Sequence, residues 1–250
     1  MPMTPAQKIA EAMPDASWLE SDEPEMESSL HYDQLALLVK TLDWLWRDRQ
    51  DYFIGANLTV YYSREQLKTR GFRGPDFFLV KHTIKKPRAS WVTWEEGGKY
   101  PDLIIELLSD STAEVDRKIK KELYHEHFRT REYFWFSPDT LEFEGFSFGI
   151  EAYEPIPPNE YGWRWSQVLG LYLGVDKGQL RYITKEGRIV PTPEEDAELA
   201  LMSAEDEAQK AARALQLASA EKARAEAEKT RAEALAAKLR ELGIDPDSVL

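Results

Sequence analysis

A carboxylate interrupts an apolar run that is typical of a buried strand. The run extends from Leu103 to Leu108, and Glu106 is its one charged residue. Because side chains alternate along a strand, Glu106 shares a face with Ile104 and Leu108, and the other face is also apolar. Such a strand is normally buried, and burial of an unpaired carboxylate costs several kcal/mol. Glu106 therefore needs a partner, which is either a Lys or Arg side chain or a metal ion.

A second carboxylate precedes another apolar strand. Pro75 and Asp76 lead into the run from Phe77 to Val80, and proline is tolerated at the start of a strand. If the two strands are neighbours, Asp76 and Glu106 lie at the same end of the sheet and form a site of hard oxygen ligands suited to Mg²⁺ or Mn²⁺. Such an ion polarises a phosphoryl oxygen and lowers the pKa of a bound water, which is the chemistry of a phosphodiesterase.

The residues after the Glu106 strand predict a helix that could supply a lysine to this site. A segment typical of a helix cap, 109–112, begins a helix predicted to extend from about residue 112 to 128. Two stripes with a four-residue spacing follow it, a polar one of Asp116, Lys120 and Tyr124 and an apolar one of Val115, Ile119 and Leu123. Lys120 would orient a water or neutralise charge in a transition state. The alternative is that the basic residues of this helix form a solvated face.

These segments together resemble the Uma-type family of the PD-(D/E)XK superfamily of restriction-endonuclease-like nucleases. The family pattern is a PD-led strand, then PDLVVEVLSPST, then D-x3-K-x3-Y and finally EYWLVDP. The matching segments are Pro75-Asp76, PDLIIELLSDST from residue 101, the polar stripe of the helix, and EYFWFSP from residue 132. The resemblance covers roughly residues 20 to 190.

The resemblance implies a mixed α/β fold, with a mixed central sheet flanked by helices, and metal-dependent cleavage of DNA. It implies that Asp76 and Glu106 bind Mg²⁺ or Mn²⁺ and that Lys120 assists the reaction, with Tyr124 and Asp116 in support. Two departures from the pattern concern other positions. Leu108 stands where the superfamily's short D/E-x-K step has a lysine, and Arg129-Thr130-Arg131 replaces the glycine that usually precedes EYW.

Three further residues are candidates near the site. Asp102 is four residues from Glu106, about 13 Å along a strand, so the two cannot share one ion. We therefore expect Asp102 to cap the entrance of its strand or to bind the Gly97-Gly98 turn. Glu27 or His31, near the start of the first predicted helix, could provide a further metal ligand. The alternative is that such an acid only favours the helix dipole.

The charge distribution is uneven. The net charge is −13, but eight Lys or Arg residues lie between residues 64 and 88, around Asp76. With Arg117, Lys118 and Lys121 they could form a cationic rim for a phosphate backbone, and the alternative is an ordinary solvated surface. The chain has no cysteine and no apolar run near twenty residues. We therefore expect a cytoplasmic protein with no disulfide and no membrane-spanning segment.

The organisation predicted along the chain has three parts. Residues 1–26 are expected to be loosely ordered, 27–190 to form the restriction-endonuclease-like domain, and 191–250 to form a long helix. In that helix an apolar residue recurs every seven positions, at Ala197, Ala204, Ala211, Ala218, Ala225, Ala232 and Leu239. This spacing favours a coiled coil that joins two copies of the chain, and a single solvated helix is the alternative.

Three functions remain open from the sequence. The first is a magnesium-dependent DNA endonuclease that works as a homodimer. The second is a non-catalytic interaction protein that retains the fold and works through its coiled coil. The third is a nuclease acting on RNA or on branched or single-stranded DNA, with Trp91 and Trp94 stacking on bases. The aromatic residues Trp163, Trp165, Tyr172 and Tyr182 are predicted to lie in the core, and base stacking is the alternative.

Overall fold

The computed structural model describes residues 28–63, 66, 74–109 and 116–243, and before them residues 3–4, 16, 19–21, 23 and 26. Glu27, the predicted helix cap at 110–112 and the basic residues at 64, 68, 70 and 73 lie outside the described residues. The chain divides into two compact units, Met1–Pro193 and Glu194–Leu250.

A six-stranded mixed sheet forms the centre of the first unit. Its strands are β1 (Tyr52–Ala56), β3 (Phe77–Lys81), β5 (Leu103–Leu107), β6 (Glu132–Phe136), β7 (Phe143–Phe148) and β8 (Tyr153–Pro155), and they lie side by side in that order. Neighbouring strands are antiparallel except β5 and β6, which are parallel. Parallel strands need a long crossover connection, and here that connection is the segment that carries Lys120.

Smaller elements complete the described fold. The strands β2 (Val60–Tyr61) and β4 (Trp91–Val92) form a parallel pair, and β9 (Arg164–Ser166), β10 (Leu171–Asp176) and β11 (Gln179–Ile183) form an antiparallel sheet with β10 in the middle. The helix α1 (Ser29–Leu45) begins with an N-cap, in which the Ser28 side chain accepts a hydrogen bond from the His31 backbone N–H. The helix α2 extends from Pro193 to Glu241.

The central sheet is buried on both faces, which confirms the prediction for the Glu106 strand. Leu103 and Ile105 pack with Leu38 and Leu42 of α1 in one apolar cluster. Ile104 lies on the opposite face, in a second cluster with Phe78, Tyr124 and Tyr133. The alternation of side chains along β5 therefore places Glu106 on the face covered by the crossover segment.

Buried polar side chains attach the small sheet to its neighbours. The Gln34 side chain of α1 donates to the backbone carbonyl of Leu180 at 3.1 Å and accepts from the Leu180 N–H at 3.0 Å. Glu132 of β6 accepts hydrogen bonds from the Ser166 hydroxyl and from the Gln167 N–H at 2.7 Å. Burial raises the pKa of Glu132, while these hydrogen bonds favour its ionised form.

The crossover segment, Asp116–Phe128, differs from the predicted regular α-helix. It contains two π-helical turns, Asp116–Lys120 and Tyr124–Phe128, on either side of one α-helical turn. Because i→i+5 hydrogen bonds widen a turn, a four-residue spacing does not follow one face through the π-helical turns, whereas Lys120 and Tyr124, on either side of the α-helical turn, both reach Glu106. Ile119 of the predicted apolar stripe is 65% exposed, whereas Tyr124 of the predicted polar stripe is fully buried. The turn ends at Arg129, whose left-handed conformation (φ 52°) is one that glycine adopts more easily.

The helix α2 forms most of the second unit. It has 49 residues, and no described side chain on it is buried. Its single continuous helix confirms the long C-terminal helix, whereas the coiled coil stays a prediction. No helix in the described part of the chain combines the length and the apolar composition needed to cross a membrane.

Candidate active site

The register of two antiparallel strands brings the two predicted carboxylates together. Phe77 of β3 is opposite Ile105 of β5, so Asp76 and Glu106, one residue further along each strand, lie opposite one another. The Asp76 backbone N–H donates to Glu106 Oε2 at 3.3 Å. The Leu107 N–H donates to Asp76 Oδ2 at 2.7 Å. Both carboxylates are therefore held at the same end of the central sheet.

Glu106 has polar partners on both carboxylate oxygens. The Tyr124 hydroxyl donates to Oε1 at 2.7 Å, and Lys120 Nζ lies 3.1 Å from Oε2. The side chain of Glu106 is completely buried, and that of Lys120 is 12% exposed. The partners that the buried Glu106 requires are thus a lysine and a tyrosine from the crossover segment. Lys120 also approaches the Gly74 carbonyl at 3.5 Å.

The electrostatics of the site depend on this burial. The pKa of Glu106 is raised to about 8, chiefly by burial and also by the charge of Asp76, although the charge of Lys120 and the Tyr124 hydrogen bond act in the opposite direction. The carboxyl group therefore keeps its proton at neutral pH unless another positive charge enters the site. A divalent cation is such a charge.

Asp102 lies at the opposite end of β5 and does not join the site. Its Oδ2 accepts a hydrogen bond from the Lys81 N–H at 2.8 Å, and its Oδ1 lies 3.7 Å from Arg131 Nε. Asp102 therefore ties β5 to the end of the neighbouring strand β3. These side-chain contacts of Asp102 are with Lys81 and Arg131, and not with the Gly97-Gly98 turn that the sequence offered as an alternative.

Other predicted residues differ in what they do. His31 is buried with both ring nitrogens in hydrogen bonds, Nδ1 with Ser28 Oγ at 2.8 Å and Nε2 with the Leu108 carbonyl at 3.1 Å. It therefore supports the end of β5 and is not placed as a metal ligand. Asp116 begins the first π-helical turn. Tyr124, expected in a supporting role, donates a hydrogen bond from its hydroxyl to Glu106.

The Leu107 N–H, which donates to the Asp76 carboxylate, could not be recognised from the sequence. A backbone amide leaves no trace in residue type, and its direction follows only from the strand register. Several described basic residues of the predicted cationic rim form ion pairs with acidic side chains of the protein. Arg88 pairs with Glu96 at 2.6 Å, Lys85 with Asp43 at 2.5 Å and Arg117 with Glu142 at 2.5 Å.

The donor set is compatible with a magnesium or manganese ion. Within the described ranges no group of three or more His, Cys, Asp or Glu side chains forms a metal site, so an ion bound here would have Asp76 and Glu106 as its described carboxylate ligands. Mg²⁺ usually retains several waters and uses one or two carboxylates together with substrate phosphates. Two opposed carboxyl groups at the end of a sheet fit that pattern.

A family model matches most of the chain. The family described as "Uma2: Putative restriction endonuclease" matches residues 18–181, which is more than half of the chain. The chain belongs to the Uma2 family. The resemblance and the mixed α/β fold class predicted from the sequence are thereby confirmed, and the family's description supports a nuclease.

A solved structure is also similar to this Uma2 chain. It is described as a "putative nuclease belonging to DUF820" from Anabaena variabilis, with 13% sequence identity and a TM-score of 0.43. The match covers 67% of this chain and 91% of the other. No curated protein matches the chain.

Proposed function

We propose that the protein is a divalent-metal-dependent endonuclease that hydrolyses phosphodiester bonds of DNA at Asp76, Glu106 and Lys120. The observation that supports this most is the convergence of the three residues at one end of the central sheet, where Asp76 lies opposite Glu106 and Lys120 Nζ lies 3.1 Å from Glu106 Oε2. Membership in the Uma2 family supports DNA as the substrate. Mg²⁺ or Mn²⁺ would be held by the two carboxylates.

Each side chain has a role in this proposal that follows from its contacts. The Leu107 N–H and the Tyr124 hydroxyl fix the directions in which Asp76 and Glu106 present their oxygens. A bound divalent ion supplies a Lewis acid that polarises the phosphoryl oxygen and lowers the pKa of a water. Lys120 orients the attacking water or offsets charge that develops on the phosphate. Because its side chain is largely buried, its ammonium group acts in a medium that screens charge poorly.

Cleavage is expected to require Mg²⁺ and to depend on pH when Mg²⁺ is limiting. Glu106 must be ionised to bind the ion, and its pKa is about 8, so metal binding at low pH must displace a proton. With Mg²⁺ below saturation, cleavage of a supercoiled plasmid should rise as the pH is raised from about 6 to about 9. Saturating Mg²⁺ should shift that rise to lower pH, and EDTA should stop cleavage.

The same assay distinguishes the other functions. Cleavage that continues in EDTA would contradict a metal-dependent site. The absence of cleavage on supercoiled, linear and single-stranded DNA with either Mg²⁺ or Mn²⁺ would favour the non-catalytic interaction protein. Cleavage of RNA without cleavage of DNA would change the substrate of the proposal.

The proposal includes a homodimer formed through α2. Its support is the seven-residue spacing of alanines along a 49-residue helix whose side chains are exposed. We expect the full-length protein to have twice the chain mass in light scattering. Substitution of Ala211 and Ala218 by Glu should return it to the monomer mass, whereas the same change at Ala212 and Ala220, outside the heptad positions, should leave the dimer. A monomer at all concentrations would contradict this part.

A further inference from the structure

The small sheet carries aromatic side chains toward solvent. Of the four aromatic residues predicted to lie in the core, Tyr182 is fully buried, but Trp163, Trp165 and Tyr172 are partly exposed. Tyr161, beside them, is 66% exposed. These four residues, Tyr161, Trp163, Trp165 and Tyr172, are called here the aromatic face.

The rings of the aromatic face form a continuous array. Tyr161 stacks on Trp163 with ring centroids 4.8 Å apart and planes inclined by 29°. Trp163 lies 6.1 Å from Tyr172, which contacts Trp165 edge to face at 4.8 Å. Because Tyr161 is exposed, the side of its ring away from Trp163 is open to a further planar ring.

A hydrogen-bonded loop fixes the backbone that carries the outer two rings. Asn159 Oδ1 accepts from the Tyr161 N–H at 3.0 Å and from the Trp163 N–H at 2.9 Å. The Asn159 N–H donates to the Trp163 carbonyl at 2.8 Å. Gly162 between the two aromatics has φ +79°, which side chains rarely allow. The loop therefore holds Tyr161 and Trp163 in place before any ligand binds, which lowers the entropy cost of binding.

Trp163 is seated against β10 through a glycine. A Cβ atom at Gly174 would lie 2.2 Å from Trp163 Cδ1, so the ring occupies the space of the missing side chain. Two glycine-dependent features, the loop and this seat, thus support aromatic rings that add little to the core. A role in binding explains their exposure better than a role in packing.

The aromatic face borders an open cavity with a basic residue beside it. The cavity has a volume of about 530 Å³, and Tyr161, Trp163, Tyr172 and Lys185 are among its lining residues. Glu186 of the same turn also lines the cavity, so the lining carries one cation and one anion. An aromatic array beside a lysine suits a ligand that has planar rings and an anionic group within reach of that lysine.

We propose that the aromatic face binds unpaired bases of a single-stranded nucleic acid segment, with Lys185 close to its phosphates. The inference rests on the proposed function only for the choice of nucleic acid over other ligands with planar rings. Base–aromatic stacking tolerates any sequence, because every base has a planar face. A nuclease with such a site would engage frayed, flipped or single-stranded regions of its substrate.

The test is fluorescence anisotropy of a labelled single-stranded oligonucleotide in EDTA, which prevents cleavage. Tyr161→Ala should weaken binding by about 10-fold, and Tyr161→Phe, which keeps the ring, should bind like the unchanged protein. Tyr32→Ala is the matched control, since Tyr32 is a comparably exposed aromatic residue, at 60%, on α1. Lys185→Ala should reduce the slope of log binding constant against log salt concentration by about one, the change expected when one phosphate contact is lost.

Replacement of the bases by abasic sites in the same oligonucleotide should remove most of the binding that depends on Tyr161. Equal affinity of Tyr161→Ala and the unchanged protein would overturn the inference. So would equal affinity for the abasic strand, or Tyr161-dependent binding of an oligosaccharide or a proline-rich peptide in place of the oligonucleotide. Because no cleavage is measured, loss of the proposed nuclease activity and loss of this binding site give separate results.

Discussion

Glu106→Gln should reduce DNA cleavage by at least about 1,000-fold while the protein remains folded. The substitution keeps the size of the side chain and an oxygen for hydrogen bonding but removes the negative charge that a cation needs. Plasmid cleavage in Mg²⁺ measures the loss. The matched control is Glu132→Gln, which alters the other buried glutamate of the central sheet, on the adjacent strand β6. That variant should lose stability, because Glu132 accepts several buried hydrogen bonds, and should retain cleavage.

The same substitution has a predictable effect on stability. The folded-state pKa of Glu106, about 8, lies above the ordinary value of 4.5. The unfolded chain therefore loses this proton at lower pH than the folded protein does, and the contribution of Glu106 to stability is lost as the pH rises from about 4.5 to about 8. Each unit of pKa displacement corresponds to about 1.4 kcal/mol.

Urea unfolding in EDTA provides the measurement of this effect. The unchanged protein should lose free energy of unfolding relative to Glu106→Gln across that pH interval, and Mg²⁺ should restore part of the loss to the unchanged protein alone. A difference between the two proteins that stays constant with pH would contradict the buried, proton-holding carboxyl group. Cleavage at the normal rate by Glu106→Gln would contradict its role in the site.

The position of Glu106 could be predicted because its strand is short, regular and buried. Alternation of side chains fixes the face, and the cost of an unpaired buried carboxylate requires a partner. The approach of Asp76 to Glu106 could be proposed once the strands were taken as neighbours, and the register of β3 and β5 places the two residues opposite one another. Lys120 is likewise within reach of Glu106.

The details of the crossover segment could not be predicted in the same way. The stripes in the sequence assume 3.6 residues per turn, and π-helical turns change which side chains face the sheet. Tyr124 and Lys120 face inward because the buried Glu106 carboxylate binds both of them. Glu106 lies on β5, outside the crossover segment, so the pattern of residues 112–128 alone cannot show which of its side chains turn toward Glu106.

The aromatic face shows a second limit of sequence patterns. Trp165 was predicted to be buried, but its neighbours Arg164 and Ser166 are the buried residues of β9. Glu144 pairs with the Arg164 guanidinium at 2.6 Å, and Glu132 accepts a hydrogen bond from the Ser166 hydroxyl. Contacts with carboxylates on β6 and β7 thus keep Arg164 and Ser166 on the buried side of β9. Side chains alternate along the strand, so Trp165 lies on the opposite, partly exposed side.

The two aspartates that precede the apolar strands allow the most direct test of the site. Asp76 faces Glu106 across β3 and β5, whereas Asp102 lies at the other end of β5 and holds the Lys81 N–H. Asn at either position keeps the shape of the side chain and an oxygen that can accept the same backbone hydrogen bond. Only Asp76→Asn removes charge from the proposed metal site.

Plasmid cleavage in Mg²⁺ by these two variants is therefore the decisive measurement. We expect Asp76→Asn to lose at least about 100-fold in rate and Asp102→Asn to stay within about 3-fold of the unchanged protein. Melting temperatures of both variants in EDTA show whether either substitution disturbs the fold. Full cleavage by Asp76→Asn would contradict a catalytic centre built on Asp76 and Glu106, whatever the activity of Asp102→Asn.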